Sequence, residues 1–331
     1  MIKLLFEPMP AKRLAIIRIA IGLFTLWHLL RGRKGYMATA HEPASNWDPV
    51  GPATLFPAPP GPELVEVWFW ATIALGVCFV LGIGHRVLAP LFGASVLTFL
   101  AWRTSWQKVY HSDNLLVLQL FIVCVVPAAS AWSADAWARV KFGDRFSWTR
   151  WPLPPETTHW WYGWPIRLMC AVTTITYLLA GLAKVWGPAG WAWAKGTNLR
   201  DQIGKDALYK DLIHHTVSTD VTTLAYNHTE ILTALAFITL VVEVGAPYAL
   251  LHKYLARAWV FGAYGMHIGI SVIMHITFIY PCTGIAFLCF LEPETWVEGV
   301  IKRLPQRGSS PAIAPGSSPG EAAVASGDGS G

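Results

Sequence analysis

The sequence predicts an all-α fold, a polytopic bundle of about eight transmembrane helices. Of its 331 residues, 54% are hydrophobic and only 14% are charged, whereas about 25% of the residues in a soluble domain are charged. The apolar residues form several runs of roughly 17–22 residues, which is the length that a helix needs to cross a bilayer. Many of the 18 tryptophans lie at the ends of these runs, as in the aromatic belts of membrane proteins.

The charged and cysteine residues exclude several other classes of protein. The low charge content rules out a soluble enzyme. The net charge of +5 comes from basic residues in loops and tails, which indicate membrane topology and no nucleic-acid partner. All five cysteines lie in apolar runs, without the spacing of metal ligands. We therefore predict no metal site and no disulfide framework.

The apolar runs place the predicted spans along the chain. They are Leu14–Leu30, Leu64–Leu81, Val87–Trp102, Leu115–Ala129, Pro165–Trp186, Ile231–Leu251, Trp259–Met274 and Ile276–Leu291. Residues 1–300 are thus predicted to form one transmembrane domain, and the Gly, Ser, Pro and Ala-rich residues 304–331 a disordered tail. Eight spans put both termini on one side, and the excess of Lys and Arg in the loops there favours the cytoplasm.

One lysine lies within the apolar stretch Tyr177–Trp193 and is its only charged residue. The neighbours of Lys184 are apolar, and loss of hydration disfavours the charged form of an amine. A lysine that becomes neutral near pH 7 is a candidate general base. The alternative is that Lys184, at a helix end, only extends its ammonium to the membrane interface. Gly181, one turn earlier, would let a neighbouring helix or a flat ring approach closely.

Other ionisable residues lie within or beside the predicted spans, where they are functional candidates by default. Arg18 and Glu243 have opposite charges and are predicted to form a buried structural pair. His111 and Asp113 lie at the mouth of the fourth span, where either a helix cap or a site is consistent with the sequence. His267 lies on a mixed polar face of the seventh span, where a histidine bonded within the core is the usual outcome.

Threonines precede Tyr177 on the fifth span. Thr173, Thr174 and Thr176 are expected to bond back to carbonyls of their own helix. They would alternatively line a polar cavity that leads to Lys184.

Four stretches resemble one known family in the same order. They are RLAIIRIAIGLF around Arg18, TSWQKVYHSDNLLVLQLF through Trp132–Asp135, YLLAGLAKVWGPAGW around Lys184, and LVVEVGAPYALL around Glu243. This pattern resembles the HTTM (horizontally transferred transmembrane) domain, also called the vitamin K-dependent carboxylase-like domain. The resemblance covers roughly residues 12–295, and its most specific part is the element that contains Lys184.

The resemblance implies roles for particular residues. Lys184 matches the lysine that deprotonates the reduced quinone in the vitamin K-dependent gamma-carboxylase. His111, which follows the Ser105-Trp106 pair, matches a histidine that supports this chemistry. The predicted site faces outward from a bacterial inner or plasma membrane, with Lys184 and His111 as its catalytic residues. The predicted pocket around them comprises Tyr177, Gly181, Trp106, Asp113, Thr176 and His267.

Two functions follow from the resemblance. The first is a carboxylase-like or lyase-like enzyme that oxidises or epoxidises a reduced quinone, either vitamin K hydroquinone or a menaquinol, with O2 and with CO2 as a further substrate. Oxidation of the reduced quinone would be coupled to modification of a substrate or a secreted peptide. The second is a non-catalytic maturation, chaperone or immunity factor, with loops 31–63 and 187–229 binding a secreted peptide. A short tail in place of the carboxylase's large substrate-handling domain favours the second function.

Overall fold

The computed structural model describes residues 5–106, 111–143, 145, 150–151, 157–215 and 219–303. These residues are mostly helical, as predicted. The helices are α1 (Ala11–Thr39), α2 (Pro62–Leu81), α3 (His85–Thr104), α4 (Asn114–Cys124), α5 (Ala134–Phe142), α6 (Trp160–Trp186), α7 (Gly196–His214), α8 (Asp220–Asn227), α9 (Thr229–Val244), α10 (Lys253–Met274), α11 (Ile279–Cys282) and α12 (Pro293–Arg303). Two short strands, β1 (Met9–Pro10) and β2 (Thr158–His159), pair in antiparallel orientation. The predicted tail, residues 304–331, lies outside the described residues.

Four of the described helices, α1, α2, α3 and α6, are long and apolar enough to cross a membrane. Helices α8 and α9 pass the same test only as a pair, and they are bent by 94° at the break between them. The fold is therefore a helical membrane bundle, but the prediction of about eight spans is not confirmed. The compact unit that contains these helices is Met1–Glu294, and a second unit, Thr295–Gly331, follows it.

Three of the predicted spans are shorter or more broken than the apolar runs suggested, and proline and glycine supply the reason. Helix α4 ends at Cys124, just before Pro127, because the residue before a proline disfavours helical backbone. Helix α9 ends at Val244, and the chain continues past Pro247 as a 3-10 helix. The last predicted span is interrupted at Gly284, whose φ of +77° is left-handed.

The direction of the helices follows from a few contacts. Pairing of β1 with β2 places the starts of α1 and α6 at the same end of the bundle. A tight turn through Gly82 and Gly84, with φ values of +66° and +53°, reverses the chain between α2 and α3. Since Arg33 near the end of α1 bonds Glu66 near the start of α2, α1 and α2 are antiparallel. Helix α4 therefore starts at the same end of the bundle where α6 finishes.

The prediction that Arg18 pairs with Glu243 is wrong. Arg18 is fully buried, and its guanidinium donates to two main-chain oxygens, that of Trp132 at 2.7 Å and that of Ala128 at 3.3 Å. These carbonyls belong to the irregular segment after α4, where no helical N–H is available to them. Arg18 thus ties α1 to the α4–α5 connection by hydrogen bonds rather than by an ion pair.

Replacing Arg18 by alanine is expected to lower the free energy of unfolding by about 3 kcal/mol, because two buried carbonyls lose their donor. Thermal unfolding of the full chain in detergent measures the change. Arg31, on the same helix, is exposed, so Arg31→Ala is the matched control and should leave the melting temperature unchanged. Equal melting temperatures for the two variants would contradict the role assigned to Arg18.

Candidate functional site

A partly buried ion pair joins the end of α6 to the end of α9. The Lys184 ammonium donates to Glu243 Oε1 at 2.7 Å and to the carbonyl of Ala180 at 3.4 Å. The side chain of Glu243 is 7% exposed and that of Lys184 is 25% exposed. The Trp193 ring lies 5.2 Å from the ammonium and covers it. Lys184 therefore points back along its own helix toward a carboxylate, which is the arrangement expected of a buried charge that has found a partner.

Gly181 allows the two helices to approach closely enough for this pair. A Cβ atom at Gly181 would lie 2.9 Å from both Glu243 Cβ and Val244 Cγ2, closer than real side chains come. Tyr177, Gly181 and Lys184 are spaced by four and then three residues, so they share one face of α6. The absence of a side chain at the middle position lets the carboxylate of Glu243 lie below the ammonium.

Tyr177 and His267 form a second buried polar pair on the same face of α6. The Tyr177 hydroxyl and His267 Nε2 are 2.6 Å apart. Trp259 packs edge-on against Tyr177 with ring centroids 5.0 Å apart, and its indole N–H donates to the carbonyl of Val242 at 2.9 Å. Residues of α6, α9 and α10 are thereby held together beside the ion pair.

In the described parts of the chain, no group of three or more His, Cys, Asp or Glu residues is placed to hold a metal ion.

The ion pair lies at one side of an apolar cleft of about 520 Å³. The cleft is lined by residues of α7, α9 and α10 together with the pair and Trp193: Lys184, Trp193, Leu199, Gln202, Ile203, Leu235, Ile238, Thr239, Glu243, Phe261, Gly262, Gly265, Met266, Gly269, Ile270, Ile273 and Met274. Sites for small molecules have volumes of about 300–1,000 Å³ and are mostly apolar with a few polar groups. The cleft has both properties.

The predicted pocket is divided between two places. Tyr177, Gly181 and His267 lie with Lys184. Trp106 packs edge-on against Trp47, with centroids 5.2 Å apart, in an aromatic cluster elsewhere. The prediction that Thr176 lines the pocket is wrong, because it is exposed on the outer face of α6 and donates to the carbonyl of Val172.

Asp113 anchors the start of α4. Its carboxylate lies 3.2 Å from Arg103 Nη1 and 3.4 Å from His28 Nε2. His111 belongs to the same short 3-10 helix, His111–Asp113, and its side chain lies outside the described part of the structure. The start of α4 and the end of α6 are at the same end of the bundle, but no described contact joins Asp113 to Lys184.

Reasoning from sequence missed the partner of Lys184 and the wall of the cleft. The face shared by Gly181 and Lys184 was a signal that another helix packs there, but it does not say which helix. The cleft wall on α10 is formed by Gly262, Gly265 and Gly269. Their spacing of three and four residues, which places them on one helix face, was a readable signal.

These features define a helical integral membrane protein with a buried ion pair beside an apolar cleft. A family model described as the HTTM domain matches residues 6–296. The chain therefore belongs to the HTTM family, which makes it a vitamin K-dependent carboxylase-like membrane protein. Comparison with curated proteins gave no match, and neither did comparison with solved structures.

Gly181→Ala is expected to destabilise the fold by about 1–3 kcal/mol, because the added methyl group overpacks the contact with Glu243 and Val244. Gly35 on α1 is the matched control, since a Cβ atom there meets nothing within 4 Å. Gly35→Ala should stabilise by up to about 1 kcal/mol, as alanine favours helix over glycine. Thermal unfolding tests whether the two changes in stability have opposite signs. A Gly181→Ala variant as stable as Gly35→Ala would refute the close approach of α6 and α9.

Proposed function

We propose that the chain binds a reduced quinone in the Lys184 cleft and promotes its oxygen-dependent oxidation, with Lys184 as the base. The observation that carries this proposal is the partly buried ion pair of Lys184 and Glu243 beside an apolar cleft. A quinol has a flat apolar ring and two weakly acidic hydroxyl groups. The cleft offers an apolar wall to the ring and one ionisable pair to a hydroxyl group, which is the combination that such a substrate needs.

The residues present fit a quinol. Gly262, Gly265 and Gly269 give the α10 wall a flat surface against which a ring can lie. Gln202 and Thr239 also line the cleft and supply further hydrogen-bonding groups. The second oxygen of Glu243, Oε2, is buried, and no described residue forms a hydrogen bond with it. A buried unpaired oxygen of this kind is costly unless a ligand or water bonds to it.

The ion pair defines how a proton would move. Lys184 and Glu243 at 2.7 Å can exist as ammonium and carboxylate or, after one proton transfer, as neutral amine and carboxylic acid. An apolar surrounding reduces the difference between these forms, because it disfavours separated charges. In the neutral form the Lys184 amine accepts the quinol hydroxyl proton, and Glu243 retains the proton that Lys184 released. The pair as a whole then carries one more proton than before.

A bound quinol would supply two electrons to O2, and the resemblance links this oxidation to removal of an unreactive proton and to addition of CO2. For this chain, the coupled modification of a substrate or secreted peptide is part of the proposal. The Trp193 ring lies over the Lys184 ammonium, 5.2 Å away, and reduces its contact with water. His111 is proposed to act from the start of α4, at the same end of the bundle.

Lys184→Met is expected to lower the rate of oxygen-dependent quinol oxidation by at least about 100-fold, because general bases contribute about 10²–10⁴-fold. Quinone epoxide formed by the purified full chain is the readout. Lys195→Met is the matched control, since Lys195 is an exposed lysine in the following connection, and it should keep the wild-type rate. Turnover of Lys184→Met at the wild-type rate would disprove the assignment of the base.

One observation favours binding of a secreted peptide as a second function. Helix α7, in the loop 187–229, exposes large apolar side chains at four positions near its end: Leu208, Tyr209, Leu212 and Ile213. An apolar helix face of this kind is a recognised docking surface for a peptide segment. This function does not require the cleft, so the two candidates are separable.

A photo-crosslinking residue at Leu212 tests this second function in cells. Leu212 is 65% exposed, and Leu64 on α2, which is 59% exposed, is the matched control. If the chain binds a peptide, a small secreted peptide should be crosslinked at position 212 and not at position 64, as read by mass spectrometry. Crosslinks to lipid alone at both positions would contradict peptide binding.

A further inference from the structure

We propose that the Lys184 cleft opens sideways to the bilayer, through a gap between α9 and α10 that Gly265 and Gly269 keep clear. The ligand class that this opening admits is a lipid-soluble molecule with a flat head and an apolar tail. The identity of the ligand depends on the proposed function. The location of the opening is inferred from the geometry alone.

The rim of the cleft is exposed on the two helices that border it. Phe261 on α10 is 82% exposed and Ile238 on α9 is 51% exposed, yet both line the cleft. A residue that is at once a wall of a cavity and open to the outside marks an entrance. The gap between these side chains is therefore where the cleft meets its surroundings.

The surroundings of this gap are apolar. On α9 the exposed side chains beside Ile238 are Phe237 and Val241, and on α10 they include Ile268 and Val272. Residues 259–274 of α10 contain no Asp, Glu, Lys or Arg. A continuous apolar surface of this kind is favourable in contact with lipid, whereas soluble proteins rarely expose one to water. The entrance therefore faces the acyl chains.

Two glycines leave the gap empty. A Cβ atom at Gly265 or Gly269 would meet no described atom within 4 Å, whereas at Gly262, on the same face, it would lie 3.1 Å from Val242 Cγ2. Gly262 thus packs against α9, and beyond it the two helices are separated. Glycine inside a helix is less favourable than alanine, so two open glycines at this position lower helix stability without making room for a contact with a described residue.

The inner end of the opening carries a buried carboxylate oxygen. Glu243 lines the cleft and is buried, and the described residues supply no hydrogen-bond partner to its Oε2 atom. Together, the exposed apolar rim, the two open glycines and the unpaired buried oxygen describe a path from the bilayer to a polar group. A head group that donates a hydrogen bond fits the inner end, and an apolar tail fits the outer end.

Spin labels at Gly265→Cys and Gly269→Cys in the full chain, reconstituted in lipid nanodiscs, test the opening directly. Oxygen partitions into hydrocarbon and a charged nickel chelate does not, so we expect an oxygen-to-nickel accessibility ratio about threefold higher or more at both positions than at Gly35→Cys. Gly35 is the control because it is equally open and lies beside Arg33 and Lys34. Wild-type protein labelled in parallel gives the contribution of the five native cysteines. Nickel accessibility at positions 265 and 269 equal to that at position 35 overturns the proposal.

A second variant tests whether the opening is used. Gly265→Trp fills the gap without a close contact at its Cβ atom and should lower oxidation of a long-tailed quinol by about tenfold or more, while Gly35→Trp leaves it unchanged. Unchanged oxidation in Gly265→Trp would overturn entry by this route. If the spin labels report lipid but the wild-type chain oxidises no quinol, the proposed function fails and the sideways opening stands.

Discussion

The ion pair between Lys184 and Glu243 is the constraint on which the rest of this bundle depends. Removing two charges from water costs several kcal/mol for each ion, so the pair is tolerable only at short distance and with further hydrogen bonds. The 2.7 Å contact and the bond to the Ala180 carbonyl meet that condition. They require α6 and α9 to touch, which Gly181 permits. The apolar cleft is the space left where α9 and α10 separate beyond the contact.

The bundle holds the cations Arg18 and Lys184 by different chemistry. Arg18 donates to the main-chain oxygens of Ala128 and Trp132, and a guanidinium does not release its proton in proteins. Lys184 instead bonds a carboxylate and can exchange a proton with it. Arg18 is thus suited to a structural role with a fixed charge, and Lys184 is suited to proton transfer. Of the two cations, Lys184 is the one that lines the apolar cleft described above.

The sequence predicts the helical membrane fold and the spans whose apolar runs contain no late proline or glycine break, such as α2 and α6. It does not predict the end of α9 at Val244 or the break at Gly284, because the length of an apolar run does not show where a proline or glycine ends the helix. Lys184 is identifiable from the sequence as the one charged residue in its apolar run. Glu243 has the opposite charge to both Lys184 and Arg18, so charge alone does not show which of the two is its partner. That choice depends on packing at Gly181, a tertiary contact.

The most direct test is a structure of the full chain in nanodiscs with a reduced quinone analogue, determined by electron cryo-microscopy. We predict density for a flat head group within hydrogen-bonding distance of Lys184 Nζ or Glu243 Oε2, with its tail leaving between α9 and α10. Density for the analogue elsewhere, with the Lys184–Glu243 cleft closed by its own side chains, would contradict quinol binding at this ion pair.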